Sequence, residues 1–203
     1  MMTKNEIINQ LKQRLSLKLY SHVLATGEMA RKLAKIYNVD EEKAYLAGIL
    51  HDCAKNMSQK ELLVYAHNHN ISIDSIILLQ PSLLHGVIGA DIVMSEFGVN
   101  DSDILHAIKS HSTGLKEMSL LDKIIYLADS AEPNRDYEGV DEIRNFAFNG
   151  ELDRALLESM NIKLAHVMSK KIMIHPTSIE AWNSIIGSLI LKKKKTGGIL
   201  IAN

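Results

Sequence analysis

Residues 46–55 read LAGILHDCAK, and within this run the chain turns abruptly from apolar to ionisable. Leu46 to Leu50 has the look of a buried helical segment, yet His51 and Asp52 follow it side by side. Neither group tolerates burial without a partner. Two states would satisfy them, a salt-bridged structural pair or a bound metal ion, and the remaining sequence discriminates between these.

At 203 residues the chain suffices for one domain with a sizeable core. With 46% hydrophobic but only 5% aromatic residues, that core must be built from Leu, Ile, Ala, Val and Met. The 23 Lys and Arg nearly balance 24 Asp and Glu, leaving a net charge of -1. This supplies no general electrostatic grip on nucleic acid or an anionic membrane, and neither partner is expected. A lone cysteine, Cys53, excludes an internal disulfide and suits a reducing compartment. The first residues, MMTKNEIINQLKQ, lack the apolar core of a signal peptide, and no apolar run approaches the roughly 20 residues of a membrane span. A cytoplasmic protein is expected.

Apolar residues recur at spacings of three and four in segments near 5–15, 17–37, 41–52, 59–69, 84–97, 102–111, 119–131, 152–172 and 178–194. Capping boxes are predicted at Ser58 with Glu61 and at Ser119 with Asp122, and Asp40 precedes two glutamates. Gly98, Gly114 and Gly150 each stand just past a periodic segment, as helix stops do. Pro81, Pro133 and Pro176 are assigned to connections. Sustained two-residue alternation is absent, so the fold class is all-α. Residues 1–194 are read as a single domain and residues 195–203 as a C-terminal tail, and the four lysines at 192–195 suit a helix C-terminus.

Nine histidines are unequally informative. His67 and His69 lie at a polar helix end, His175 precedes a proline, and His166 sits in a segment without other candidate ligands. These four read as surface or packing residues. His22, His51, His85, His106 and His111 instead lie on or at the end of apolar-periodic segments. Asp129 follows the apolar run Ile124 to Ala128 much as Asp52 follows its own. Imidazole and carboxylate together suit iron, manganese, cobalt or zinc, and separate helices can bring such ligands to one point. Adjacent residues leave a helix about 100° apart, so Asp52 can serve a second ion while His51 holds the first.

The series His22, His51-Asp52 and Asp129 resembles the signature of HD-domain metal-dependent phosphohydrolases, and His85 with His111 resembles the two-metal branch. LAGILHDCAK, LLHGVIGADIV, the HSTG of residues 111–114 and LDKIIYLADSAEPNRDYEGVDEIR are similar to the YqeK-type symmetrical bis(5'-nucleosyl)-tetraphosphatases. This resemblance runs from His22 to Arg144. It implies an all-helical HD-domain bundle, a homodimer, a centre of two divalent ions with iron the commonest, and hydrolysis of diadenosine tetraphosphate to two ADP. It places His22, His51, Asp52 and Asp129 on one ion and His85 with His111 on the other, Asp52 bridging. Ser112 stands where the family often has threonine and Cys53 where a larger apolar residue is common, which would make the site sensitive to oxidation.

Two ions can activate a bridging water and neutralise phosphoryl oxygens, so no Ser, Cys or Lys nucleophile is required, and no Gly-rich phosphate loop competes. Lys55, three residues past Asp52, and Arg135, six past Asp129, are candidates for catalysis and for phosphate contact. Thr113 and Gly114 are candidates for backbone contact to substrate, with a plain helix C-cap as the alternative. Asp122 reads as a cap, and His106 as a core or supporting residue. The competing functions are another HD phosphohydrolase acting on nucleoside mono- or triphosphates, and a nucleotide-sensing protein without activity. The complete ligand set speaks against the latter.

Overall fold

The structure is a computed structural model that describes residues 2–195. Among these residues it has eleven α-helices and no strand. They are α1 (Lys4–Arg14), α2 (Leu17–Ile36), α3 (Glu41–Leu50), α4 (Gln59–Asn68), α5 (Ser75–Leu79), α6 (Leu84–Ser95), α7 (Ser102–Ser110), α8 (Leu120–Ala131), α9 (Val140–Phe148), α10 (Leu152–Ser169) and α11 (Pro176–Lys195). Every predicted segment corresponds to a helix, and the ends follow the local chemistry. Both capping boxes form, and Asp40 accepts from Glu42 N and Lys43 N. Gly98, Gly114 and Gly150 adopt φ of 70°, 70° and 81°, the left-handed conformation that closes a helix.

Three expectations need correcting. Pro81 opens a 3-10 turn and Pro176 opens α11, so both start helical structure rather than lie in connections. A proline costs nothing there, because a first-turn N–H has no intrahelical acceptor. α5 and α9 were not predicted. α5 buries no residue, so it has no periodicity to read. α9 buries Val140, Ile143 and Ala147 at helical spacing, but Gly139 precedes it at φ 89° with no side-chain cap. Finally, α11 runs to Lys195, one residue into the expected tail. Residues 196–203 of that tail lie outside the described residues.

Side-chain size sets the closest approach in the core. A Cβ on Gly48 of α3 would stand 2.7 Å from Gly27 Cα and 3.1 Å from Thr26 O of α2, so the two helices cross backbone against backbone. α8 lies across the pair, and its Ile124, Ile125, Leu127 and Ala128 are buried beneath it. α7 packs against α3, α6 and α8, closing the core around Ile88, Ile92, Phe97, Ile104 and Ile108. The crossing has a consequence for polar residues too. Gly27 lies five residues past His22 and Gly48 three before His51, so the point of contact brings those histidines together.

Replacing a helical glycine by alanine usually gains about 1 kcal/mol of propensity, and here two sites should respond with opposite signs. Gly48→Ala meets backbone that cannot move aside and should cost about 1–3 kcal/mol, lowering the melting temperature by roughly 2–10 °C. Gly187→Ala in α11 meets nothing within 4 Å and should stabilise slightly. Thermal unfolding of both variants is the check. A Gly48→Ala protein as stable as the parent would contradict the tight crossing.

Candidate metal centre

Helix ends deliver all the ionisable side chains but His22, which projects from the body of α2. His22 comes from α2, His51 and Asp52 from the turn closing α3, and His85 from the second position of α6. His111 caps α7, and Asp129 sits in the last turn of α8. All six sequence-predicted ligands converge, and they form two lobes around one carboxylate. On one side, Asp52 Oδ2 lies 3.7 Å from His22 Nε2 and 3.5 Å from His51 Nε2. Asp129 Oδ1 lies 3.2 Å from His22 Nε2 and 3.7 Å from His51 Nε2 in the same lobe. On the other side, Asp52 Oδ1 lies 3.3 Å from both His85 Nε2 and His111 Nε2.

The outer ring nitrogens are anchored by the surrounding chain. His51 Nδ1 donates to Gly48 O at 2.7 Å, His85 Nδ1 to Ser82 O at 2.5 Å and His111 Nδ1 to Ile108 O at 2.7 Å. A carbonyl only accepts, so each of these Nδ1 atoms carries the proton. His22 Nδ1 is held by Glu132 Oε1 at 3.2 Å. Every imidazole therefore turns Nε2 inward while its other nitrogen is anchored, the arrangement that orients histidine ligands in metal sites. His85 and His111 face each other Nε2 to Nε2 at 3.0 Å, two lone pairs that repel unless a cation lies with them. The Lys55 ammonium is such a cation, 3.0 Å from His85 Nε2 and 3.5 Å from Asp52 Oδ1.

Charge in the centre is strongly coupled. Burial would lower the His51 pKa, but Asp52 and Asp129 outweigh it and push the imidazole up to about 10. Burial takes His111 down to about 4 against the opposing pull of Asp52, so its lone pair is free. Burial would raise both carboxylates. The charge of His51 instead holds Asp52 well below the usual range, and hydrogen bonds from His22 and His51 do the same for Asp129. Asp52 Oδ1 is buried and has no hydrogen bond of good geometry among the described residues, its one close lysine being Lys55 at 3.5 Å. An anionic oxygen left that way is costly, and a divalent cation between it and the imidazoles removes the cost. The donor set of imidazole nitrogen and carboxylate oxygen fits iron, manganese, cobalt or zinc. Donor atoms of His22, His51 and Asp129, and likewise those of His51, Asp52 and His111, lie within 4.8 Å of one another, close enough to share an ion.

Arg135 donates to Asp129 Oδ1 at 2.8 Å and to Asp129 O at 3.0 Å, which brings its guanidinium to the rim of the centre. Thr113 borders a narrow cavity beside it. Of the two readings of Gly114, the geometry fits the helix C-cap. Its N–H is spent on Ser110 O at 2.8 Å, and a Cβ there would stand 2.9 Å from Ala181 Cβ. It therefore closes α7 and seats α11 and offers no free amide to a substrate. Asp122 completes its capping box and also receives His106 Nδ1 at 2.9 Å, away from the centre. His69 pairs with Asp91 and His175 with Asp74, and neither reaches the ligands. Cys53 is buried and its thiol is pushed up to about 12 by burial, which disfavours the reactive thiolate and overturns the expected sensitivity to oxidation.

Sequence reasoning missed three features. Glu132 is 2% exposed and uses both oxygens, one on His22 Nδ1 and one on Asn134 N at 2.7 Å. Its place just after Asp129 and before Pro133 was the available signal. Lys163 of α10 points its Nζ to within 3.8 Å of Asp129 Oδ2. The cavity itself, about 60 Å³, is walled by Leu83, Tyr126, Met160, Leu164 and Val167, with Thr113 and His175 at its polar edges. Arg144 explains part of the distinctive 131–144 block. It donates to Ala131 O, Glu132 O and Arg135 O and so straps down the loop that carries Glu132 and Arg135.

Comparison with known proteins places the chain in a family. A family model described as the HD domain matches residues 19–134. A symmetrical bis(5'-nucleosyl)-tetraphosphatase of Halalkalibacterium halodurans is 35% identical over 91% of this chain and 98% of its own length. A protein of the same name from Staphylococcus aureus is 36% identical over 85% and 89%. Among solved structures, a protein of Clostridium acetobutylicum described as a predicted HD superfamily hydrolase involved in NAD metabolism superposes with a TM-score of 0.89 at 38% identity, covering 93% of this chain and 99% of that one. The chain belongs to the HD-domain family, in the branch of the symmetrical bis(5'-nucleosyl)-tetraphosphatases.

Proposed function

We propose that this protein hydrolyses diadenosine tetraphosphate, or a closely related dinucleoside polyphosphate, to two nucleoside diphosphates in the cytoplasm. His22, His51, Asp52 and Asp129 would hold one divalent ion and His85 with His111 a second, Asp52 serving both, with iron the first choice of metal. The observation that carries this reading is the buried Asp52 carboxylate, one oxygen turned to each group of imidazoles. Two relatives of near full-length coverage carry the same activity in their names. Residues 1–194 would act as a single unit, and a homodimer belongs to the same reading.

Two such ions, when bound, supply an activated water and neutralise the phosphoryl oxygens it approaches. The chain does the rest by positioning. Glu132 and the carbonyls of Gly48, Ser82 and Ile108 hold the four rings so that none can turn away. Arg135 offers a planar guanidinium at the rim, and Lys55 an ammonium beside His85 and Asp52, for phosphate oxygens on either side of the bond that breaks. The cavity beside Tyr126 offers an apolar wall to a nucleoside, with Thr113 at its edge. Water adds across the central P–O–P link, one phosphorus takes its hydroxyl, and the bridging oxygen departs with the other half. Each half then carries two phosphates, and no residue of the chain is covalently modified.

Product analysis tests the reading directly. Diadenosine tetraphosphate hydrolysed in labelled water by metal-analysed protein should give ADP as the sole nucleotide, with label in one of the two molecules. Initial AMP and ATP would overturn symmetrical cleavage, and faster phosphate release from a nucleoside monophosphate would favour another HD phosphohydrolase.

Asp52→Ala should lose both ions and at least several kcal/mol of transition-state stabilisation, about a thousandfold in rate. His67→Ala, remote from the centre, should retain rate and metal content. Metal analysis and steady-state kinetics decide, and full activity in Asp52→Ala would end the two-ion reading. Glu132→Gln should cost about 10- to 100-fold in metal affinity or activity, since a carboxylamide orients His22 less firmly. Metal titration of this variant should show the loss chiefly at the His22 lobe. Undiminished affinity there would remove Glu132 from the centre.

A further inference from the structure

α10 lies beyond the residues matched by the HD family model, yet it sends one side chain to the metal centre. Met160, Leu164 and Val167 form an apolar stripe on this helix that walls the cavity, and Lys163 is the charged residue set into that stripe. Its Nζ stands 4.1 Å above the Tyr126 ring and 3.8 Å from Asp129 Oδ2. Tyr126 and Asp129 are one turn apart on α8, so the ammonium sits where the cavity wall meets the ligand set. A separation of 3.8 Å is longer than a hydrogen bond. The other oxygen of Asp129, Oδ1, faces His22 and Arg135.

The neighbouring cations are differently placed. Arg135 is tied to Asp129 by two hydrogen bonds, Lys55 rests on His85 and Asp52, and His175 is held by Asp74 and Thr177. Lys163 keeps three donors on a flexible stem, a third of its side chain is exposed, and burial lowers its pKa against the opposing pull of Asp129. An ammonium so placed faces both the cavity and the centre. A nucleoside resting against the apolar wall of this cavity, with its phosphates turned toward the metal ligands, brings those phosphates within reach of it.

We propose that Lys163 is a substrate-binding residue that grips the phosphate lying between the nucleoside and the phosphorus under attack. This rests on the proposed function and deepens it, because it names which part of the nucleotide the α10 wall recognises. The Lys163 ammonium exchanges its loose contact with Asp129 for charge-assisted hydrogen bonds to that phosphate. No bond to the lysine forms or breaks. The interaction is made with ADP as well as with the intact dinucleotide, so it acts on binding more than on the chemical step.

The test uses Lys163→Met, which keeps length and apolar stem, and Lys163→Arg, which restores charge. Calorimetric titration of metal-loaded protein with ADP and with adenosine separates phosphate recognition from nucleoside recognition, alongside metal analysis and kinetics with diadenosine tetraphosphate. Lys163→Met should weaken ADP binding and raise KM about tenfold or more, as loss of a charged hydrogen bond does. Adenosine affinity and metal content should stay at the parent level, and Lys163→Arg should recover part of the ADP affinity. Unchanged ADP affinity in Lys163→Met would overturn the proposal, and so would loss of metal with ADP affinity otherwise normal, which would make the lysine only a prop for Asp129. A parent protein that neither binds ADP nor cleaves diadenosine tetraphosphate would instead overturn the proposed function itself.

Discussion

A carboxylate buried in a protein must be neutralised, and the architecture here is arranged around meeting that demand for Asp52. It is 4% exposed, yet its oxygens point to two different groups of imidazoles. Those imidazoles come from three other helices and the turn that carries Asp52 itself. Four elements must therefore stop or cross at one place. The cost of an unpaired anion in the interior is several kcal/mol, comparable with the whole stability of a domain. The helices that end here, α3 and α7, and the last turn of α8 are thus positioned by charge as well as by apolar packing.

Close backbone contact is what allows that convergence. Gly27 and Gly48 let α2 and α3 touch, and a side chain at either position would separate His22 from His51. Gly48 contributes twice, since its carbonyl also anchors the His51 ring. The same economy appears beyond α8. Arg144 holds three carbonyls of the loop after that helix, and the loop in turn holds Glu132 against His22. Rigid backbone on both sides leaves the ligand side chains few alternatives, which is what a preorganised centre requires.

Helix identity and the six candidate ligands were legible in the sequence because both depend on local signals. Periodicity of three and four, Ser and Asp caps, and left-handed glycines are properties of short segments, and they located nine helices. The ligands betrayed themselves as ionisable residues at the ends of apolar runs, where His51-Asp52 and Asp129 have no bland explanation. α5 was hidden because it buries nothing, and α9 because its entry is a glycine with no capping side chain.

The roles of Gly114, Cys53, Glu132 and Lys163 depended on contacts between residues distant in the chain. Gly114 reads as a helix stop in the sequence, and only the fold shows that it also seats α11, where a Cβ would stand 2.9 Å from Ala181 Cβ. Cys53 reads as exposed to chemistry until burial raises its thiol. Glu132 meets His22 across 110 positions of sequence and Lys163 meets Asp129 across 34, and no local pattern records such a pairing. The sequence by itself determined an all-helical chain with candidate His and Asp ligands set against apolar helical runs, because capping, periodicity and the cost of burying charge act locally. Only the tertiary structure decided which oxygen of Asp52 serves which imidazoles, and which cations stand over the centre, because those follow from how α2, α3, α8 and α10 cross.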